Sequence, residues 1–592
     1  MVNILGINAY HGDSSASLLI DGQLVAAVEE ERFTRIKHWA GFPAESIRYC
    51  LATAGIKASD LDHVAVSYNP KANLNRKLLF TLQQRPSLAS LLDRFSKQQK
   101  ALGLKDQLAA ACGCESEDLG AQFHQLEHHT CHFASGFFVS PFTESAILSI
   151  DGMGDFVSTL TGYGKANQLQ YFERTHYPHS LGFLYNAITL YLGFPNYGDE
   201  YKVMGLAPYG QPQYVNQMRQ LIKVNGEQVE LNLTYFDHHQ NGIAMVWDGG
   251  LPMVKPFHSK ALEDLFGPPR QPHEPLTEHH QNIATSLQVV TEEVIFALLR
   301  NLHQRTQSDN LCLVGGCAMN SVANGKITQN TPFKQVYVPV GAADNGTCFG
   351  AAFYVWHQIL KQPRSFELAA KADSATQSAK PFILEHGYWG SAFSDAECLA
   401  AIQEFPITYQ QLSNDDLVAQ VTDDLCSGLV VGWFQGRMEF GARALGNRSL
   451  LADPRREDMR DIINLKIKFR EKFRPFAPSI LAEYVKDYFE IDEPSPFMEK
   501  VFNIKPEMRA KIPAVTHVDG TGRLQSVDRH TNPRYWQLID GFRQKTGIPI
   551  VLNTSLNENE PIVRTPAEAI SCLLRTKMDA LVLNNYYVQR KF

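Results

Sequence analysis

Apolar and polar positions repeat one pattern at two places in the chain. Residues 3–30 run NILGINA, YHGDSS, ASLLIDG, QLVAAVEE, and residues 145–172 run SAILSID, GMGDF, VSTLTGYG, KANQLQYF. Short apolar runs bounded by Gly, Asp and Ser read as strands, so each stretch predicts a hairpin whose first turn is polar and contains glycine. The duplication predicts two similar halves facing each other across a cleft, with turn amides able to cradle an anion. Helical periodicity is expected at 43–54, which carries proline at its first helical position, and at 86–111. It is expected again in EHHTCHFASGFF and in LYNAITLYLGF, the latter followed by a Gly-rich loop, PNYGDEYKVMGLAPYG, that holds Lys202. Residues 211–275 are irregular, with a hairpin at VNGEQVELNL and a His/Pro-rich run, and read as an insertion. The longest amphipathic helix is expected at 277–306, with Thr277 as its N-cap. A strand (NLCLVGG), a turn (CAMNSVANGKI), a strand (QVYVPV) and a small-residue helix entered through GAADNGTCFGAA follow.

Periodicity is lost over 361–382, which reads as a linker. Beyond it come strands at PITYQQL and LVVGWFQG, helices at 415–426 and 566–574, and one closing strand in DALVLNNYYVQRKF. The chain therefore divides into two α/β domains, 1–370 and 385–592. Net charge is −7 with no long basic stripe, which speaks against nucleic acid as the main partner. No apolar run reaches 18 residues, so no membrane span is expected. The ten cysteines are scattered, as reduced thiols of a cytoplasmic protein would be. Nothing in the sequence sets an oligomeric state.

His128 and His132 stand four apart on one helix, so both imidazoles reach the same face. Asp151 ends the strand that follows, in DGMGD, and Asp344 lies where a later strand gives way to the small-residue helix. Two imidazoles and two carboxylates suit a divalent metal such as iron, zinc or manganese. A helix face of satisfied histidines has the same HHxxH spacing, and His129 is the natural decoy; DGMGD favours the metal. The GGCAMN loop offers Gly315, Gly316 and Asn320 to a nucleotide, although Gly-Gly after a strand is also an ordinary tight turn. In the second domain Arg437, Arg443, Arg448, Lys468, Arg470, Lys472 and Arg474 fall within 38 residues, favouring a small anionic ligand. Arg523 and the strand end carrying Asn553 and Ser555 follow.

These segments resemble the O-carbamoyltransferase family of natural-product and nodulation-factor tailoring enzymes. The matching stretches are YHGDSSASL, EEERFTRIKH, HHTCH, DGMGD, YKVMGLAPYG, GGCAMNSVANGK, DNGTCFGAA, GRMEFGARALGNRSLLADPR, KFREKFRPFAPS and LNTSLNENEPIV, in family order along nearly the whole chain. The resemblance implies an N-terminal actin-like ATPase domain with duplicated halves and a C-terminal YrdC-like domain. It implies formation of carbamoyl adenylate from ATP and carbamoyl phosphate, then carbamoyl transfer to a hydroxyl of a small molecule, as in antibiotic biosynthesis. By motif position Arg443, Lys468, Arg474, Arg523, Asn553 and Ser555 resemble the carbamoyl-phosphate and nucleotide contacts, with Lys202 a further cofactor contact. His128, His132, Asp151 and Asp344 resemble the metal ligands, with Fe²⁺ first and Mn²⁺ or Zn²⁺ as alternatives, and Mg²⁺ accompanying ATP. His11, Asp13 and Lys37 resemble transfer-site residues, with Tyr10 beside them. The family's GPRALGNRS has Ala442 in place of its proline here, and 211–275 is a variable segment expected to shape the acceptor pocket. Threonylcarbamoyl transfer to tRNA would need only the first domain, and a non-catalytic actin-like scaffold would need no cationic pocket. A metallopeptidase is excluded by the missing glutamate of HExxH.

Overall fold

The computed structural model describes residues 1–84, 103–246, 252–364 and 381–590. Most of the helix expected at 86–111, and most of the linker expected at 361–382, lie outside the described residues. The chain forms two compact units: Met1–Ala323 with Ile327–Leu384, and Asn324–Lys326 with Glu385–Phe592.

The first unit contains two five-stranded sheets. In the first, β1 (Asn3–Asn8), β2 (Ser15–Ile20) and β3 (Gln23–Glu29) form an antiparallel meander, and β4 (His63–Val66) and β5 (Gln122–Gln125) continue from β1 in parallel, giving the order β3-β2-β1-β4-β5. In the second, β6 (Glu144–Gly154), β7 (Val157–Lys165) and β8 (Gln168–His176) form the same meander. β9 (Asn310–Val314) and β10 (Gln335–Tyr337) extend it in parallel from β6, giving β10-β9-β6-β7-β8. Strand for strand the topologies are identical, which is the duplicated α/β architecture of an actin-like ATPase domain.

Helix α1 (Ala44–Ala54) packs on the first sheet through Ile47, Cys50 and Leu51. The unit also contains α2 (His128–Phe137), α3 (Leu181–Tyr191), α4 (Glu200–Leu206), α5 (Glu278–Thr306) and α6 (Thr347–Tyr354). Helix α5 is long and apolar enough to cross a bilayer by length and composition, but 72% of its most apolar window is buried inside the unit, which makes it a core helix. The small residues of α6 are explained by close backbone approach. A Cβ at Gly350 would overlap the Cys131 carbonyl of α2, and one at Gly6 would overlap the Cys348 carbonyl of α6. Glycine at those two crossings lets β1, α6 and α2 touch, and so brings Asp344, just before α6, to the histidines of α2.

The second unit is built on an eight-stranded mixed sheet. Its strands are β11 (Ile407–Gln411), β12 (Val431–Phe434), β13 (Arg448–Ala452), β14 (Ala477–Leu481), β15 (Gln525–Val527), β16 (Ile550–Ser555), β17 (Ala580–Leu583) and β18 (Tyr586–Arg590), in the order β11-β18-β17-β12-β13-β16-β14-β15. Helices α7 (Asn414–Cys426), α8 (Pro533–Thr546) and α9 (Pro566–Arg575) share one core with it around Trp433, Leu450, Ile480 and Leu538, all fully buried. Each such side chain contributes roughly 1.5–3 kcal/mol of apolar burial. The closing segment is two strands rather than one. Asn584 adopts φ 50°, and Leu583 pairs with Tyr586 across a two-residue turn, the hairpin geometry that Asn favours.

Candidate active site

In the first unit the four expected metal ligands converge. Glu127 caps α2 by accepting from the Thr130 amide at 2.9 Å, and Asp155 accepts from the His128 amide at 3.0 Å. With the start of the helix held there, His128 Nε2 and His132 Nε2 lie 3.0 Å apart. Asp151 Oδ2 is 3.3 Å from His128 Nε2, and Asp344 Oδ1 is 3.5 Å from both imidazoles. One donor atom from each of the four lies within 4.8 Å of the others. Two nitrogens each about 2.1 Å from one ion stand roughly 3.0–3.4 Å apart, so the observed spacing fits a shared cation.

The electrostatics agree with the geometry. Burial works against a charge on His128, but Asp344 and Asp151 outweigh it and hold its pKa well above the usual imidazole range. A dication neutralises the two buried carboxylates without requiring that proton. The donor set therefore fits a divalent metal. His129 is the decoy: its Nδ1 meets Ser149 Oγ at 2.8 Å and its Nε2 meets the Val157 carbonyl at 2.9 Å. Burial, with His128 and His132 alongside, pushes its pKa down to about 3.

Gly316, expected at a nucleotide, donates its N–H to Asp151 Oδ1 at 2.9 Å and so orients a ligand of the metal set. Gly315, at φ 92°, makes the tight turn after β9. Asn320 forms a reciprocal amide pair with Gln288 of α5, both bonds 3.0 Å. Lys202 is not on a loop. Val203 and Leu206 turn inward and carry the segment as α4, while Lys202 pairs with Asp199 at 2.9 Å and lies 5.5 Å from the Phe194 ring.

Among the expected transfer residues, His11 borders the metal set, its ring 5.0 Å from that of His128 and 5.4 Å from that of Tyr68. Tyr10 donates its hydroxyl to Gln107 at 2.8 Å. Asp13 binds His38 Nδ1 at 2.8 Å, and the His38 amide donates to Glu31 at 2.9 Å. Burial lowers the His38 pKa, but Asp13 overcomes it and raises the value to about 9. Lys37 adds positive charge beside Glu31 and His38. Sequence reasoning missed His38 and Tyr197. Burial, with Asp344, Asp13 and Asp151 nearby, holds the Tyr197 phenol far above its ordinary pKa, and a Cβ on Gly12 would stand 2.7 Å from its hydroxyl. Both lie inside stretches that carry the other site residues, EEERFTRIKH and PNYGDEYK, which is the signal that could have found them.

In the second unit the cationic run divides. Arg448 is fully buried and spent on carbonyls, donating to Gln435, Asn447, Ser391 and Gly436 and lying 3.6 Å from the Phe434 ring. Arg437 likewise donates to the carbonyls of Trp389 and Gly390, and Lys472 is exposed. Glu439, missed from sequence, accepts from the amides of Leu445, Asn447 and Arg448 at 2.7–3.0 Å and so shapes the ARALGN loop. Lys468, 1% exposed, donates to the carbonyl of Asn557 at 2.9 Å and lies 3.4 Å from Ser555 Oγ. Asn553 donates to Ala444, Ser479 and Gln525 at 3.0–3.1 Å.

Arg443, Arg470, Arg474 and Arg523 gather instead. Burial drives the Arg523 pKa far below the guanidinium range, and Arg443, Arg470 and Arg474 add to the fall. Two carboxylates stand among them, Glu499 at 4.0 Å from Arg443 and Glu471 paired with Arg474 at 3.4 Å. The Nε atoms of Arg443 and Arg523 are buried without a hydrogen-bond partner among the described residues. Buried guanidinium N–H groups in charge surplus need anionic oxygens.

Residues 3–353 match the model of the carbamoyltransferase N-terminus and residues 422–590 that of the carbamoyltransferase C-terminus. An uncharacterized protein of Synechocystis is 41% identical, with 100% of this chain and 97% of that protein covered. Nodulation protein NolNO of Sinorhizobium fredii is 36% identical, with 99% and 80% covered, and Nodulation protein U of Rhizobium tropici is 26% identical, with 94% and 91% covered. Among solved structures, HypF of T. kodakarensis aligns with 61% of this chain and 48% of its own at 13% identity and a TM-score of 0.31, too remote to bear on the site. With both units matched and relatives above 30% identity spanning the chain, the protein belongs to the carbamoyltransferase family and is a carbamoyltransferase.

Proposed function

We propose that the protein is an ATP-dependent O-carbamoyltransferase that works in two half-reactions. The second unit, which we take to be YrdC-like, forms carbamoyl adenylate from carbamoyl phosphate and ATP. Material balance requires one water to be consumed and both phosphate and pyrophosphate to leave. The first unit then passes the carbamoyl group to a hydroxyl of a small-molecule acceptor, with AMP as leaving group. The observation that carries this reading is the buried guanidinium cluster, in which Arg443 and Arg523 hold Nε–H groups without a hydrogen-bond partner among the described residues. That is a site for phosphoryl oxygens, and charge developing there is stabilised by donors already in place.

Arg443, Arg474 and Arg523 are assigned to the phosphoryl oxygens, and Lys468, Asn553 and Ser555 to the nucleotide side of the same pocket. In the first unit His128, His132, Asp151 and Asp344 would hold a divalent ion, Fe²⁺ before Mn²⁺ or Zn²⁺. Such an ion supplies Lewis-acid polarisation when bound. His11, beside that set, takes the proton of the attacking hydroxyl as its oxygen adds to the carbamoyl carbon. Asp13, Lys37 and His38 orient the acceptor, and the Gly315–Gly316 turn lies against the nucleotide. The acidic balance supports a small molecule rather than nucleic acid as partner, and ten cysteines, none in a disulfide, support a reducing compartment.

The reading is tested by two variants assayed for both half-reactions and for metal content. Arg443→Ala is expected to lose carbamoyl-phosphate-dependent pyrophosphate release at least ~100-fold while keeping its metal. His128→Ala is expected to lose metal and transfer while pyrophosphate release survives in part. Equal loss of both activities in both folded variants would sink the division of labour.

A further inference from the structure

Carbamoyl phosphate differs from acetyl phosphate in having –NH₂ where the other has –CH₃. The phosphoryl and carbonyl oxygens are served by guanidinium donors. The amide nitrogen brings two N–H groups that guanidiniums cannot accept, since arginine has no acceptor. A site that tells the two acyl phosphates apart therefore needs a buried acceptor among its cations.

Glu499 occupies that position. Its side chain is 4% exposed, its Oε1 stands 4.0 Å from Arg443 Nε, and Arg523 is its other charged neighbour. Its Oε2 is buried and has no hydrogen-bond partner among the described residues. The backbone holds it in place. The Glu499 carbonyl accepts from Asn324 Nδ2 at 2.8 Å, while the next residue, Lys500, is turned to Glu493 at 2.9 Å. A buried carboxylate oxygen left unpaired beside two guanidiniums is costly unless a ligand donates to it.

We propose that Glu499 is a specificity-determining residue, whose free carboxylate oxygen accepts from the amide of the carbamoyl group and so selects carbamoyl phosphate over methyl-bearing acyl phosphates. This rests on the reading of the arginine cluster as the acyl-phosphate site. A second buried acceptor without a partner among the described residues, Asn553 Oδ1, is the competing choice, because Asn553 is bonded to the carbonyl of Ala444, next to Arg443.

The test compares pyrophosphate release from ATP with carbamoyl phosphate and with acetyl phosphate, in the full-length wild type, Glu499→Gln and Glu499→Met. A site built to bond a substrate N–H rejects the analogue lacking it by about 10⁴–10⁵, so the wild type is expected to prefer carbamoyl phosphate by at least ~1000-fold. Glu499→Met, similar in length but without an oxygen, is expected to bring the preference to about 10-fold or less. Glu499→Gln, which keeps one acceptor, is expected to fall between. Binding of inorganic phosphate, read by calorimetry, is expected to survive in both variants. A merely structural role would lower both substrates equally and leave the ratio unchanged, and that result would overturn the proposal in favour of Asn553. If the variants do not fold, the wild type itself decides: phosphonoacetamide should displace phosphate at least ~100-fold better than phosphonoacetone, and equal potency overturns amide recognition. No pyrophosphate from the wild type with carbamoyl phosphate would instead refute the acyl-phosphate reading, and Glu499's role with it.

Discussion

The two glycines of DGMGD look equivalent in sequence, yet only one has no room for a side chain. A Cβ on Gly154 would overlap the His128 ring and stand 2.6 Å from His128 Cβ, where ordinary contact begins at 3.4 Å. His128 cannot turn aside, because its amide is held by Asp155 and its Nε2 belongs to a set of four atoms within 4.8 Å. Gly154→Ala must therefore push the ring or the strand by more than about 0.8 Å, against a tolerance of about 0.2 Å for a metal–ligand distance. We expect a loss of metal affinity of at least ~10–100-fold, the range seen when the groups that orient ligands are disturbed. The overpacking itself is expected to cost about 1–3 kcal/mol of stability. Gly152→Ala is the control, since its Cβ would meet only Phe183 Cε1, at 3.7 Å. Metal content by mass spectrometry and affinity by chelator competition read the outcome, with thermal unfolding run alongside. Wild-type affinity in a folded Gly154→Ala protein would refute the placement of His128 in the metal set.

His11→Asn is expected to leave pyrophosphate release within about 3-fold of wild type while transfer to an accepted alcohol falls ~100-fold or more, the usual contribution of a general base. Loss of both would place His11 elsewhere. Burial, only partly offset by Arg443 and Arg523, raises the Glu499 pKa to about 7 from an ordinary 4.5. A raised carboxyl contributes stability that is complete below about pH 4.5 and lost as pH rises through about 7, here up to about 3 kcal/mol in phosphate-free buffer. Urea unfolding of wild type against Glu499→Gln across that window should show the difference shrinking at low pH, and parallel profiles would contradict it.

The parts of the fold legible in the sequence are those set by local pattern. The β1–β3 and β6–β8 meanders pair neighbouring strands, so their apolar runs and Gly-containing turns announce them. His128 and His132 are brought together by one helical turn. What brings Asp344 to them is a crossing of three backbones at Gly6 and Gly350, which no window of sequence shows. The arginine run was legible as charge but not as roles. Arg448 looks like Arg443 in the chain, and only burial against Phe434 and four carbonyls tells them apart. Asn320 carries a polar side chain at a loop, yet its partner Gln288 is 32 residues away on α5. Glu499 lies far in sequence from Arg443 and Arg523, and its neighbours are arginines only once the chain has folded.

The most direct test of the central claim needs no acceptor. The purified protein is incubated with ATP and Mg²⁺, with and without carbamoyl phosphate, and pyrophosphate and phosphate are followed together. Release of both in equal amounts, only when carbamoyl phosphate is present, is the expected result. ATP bound with no pyrophosphate released in its presence would contradict carbamoyl adenylate as the intermediate.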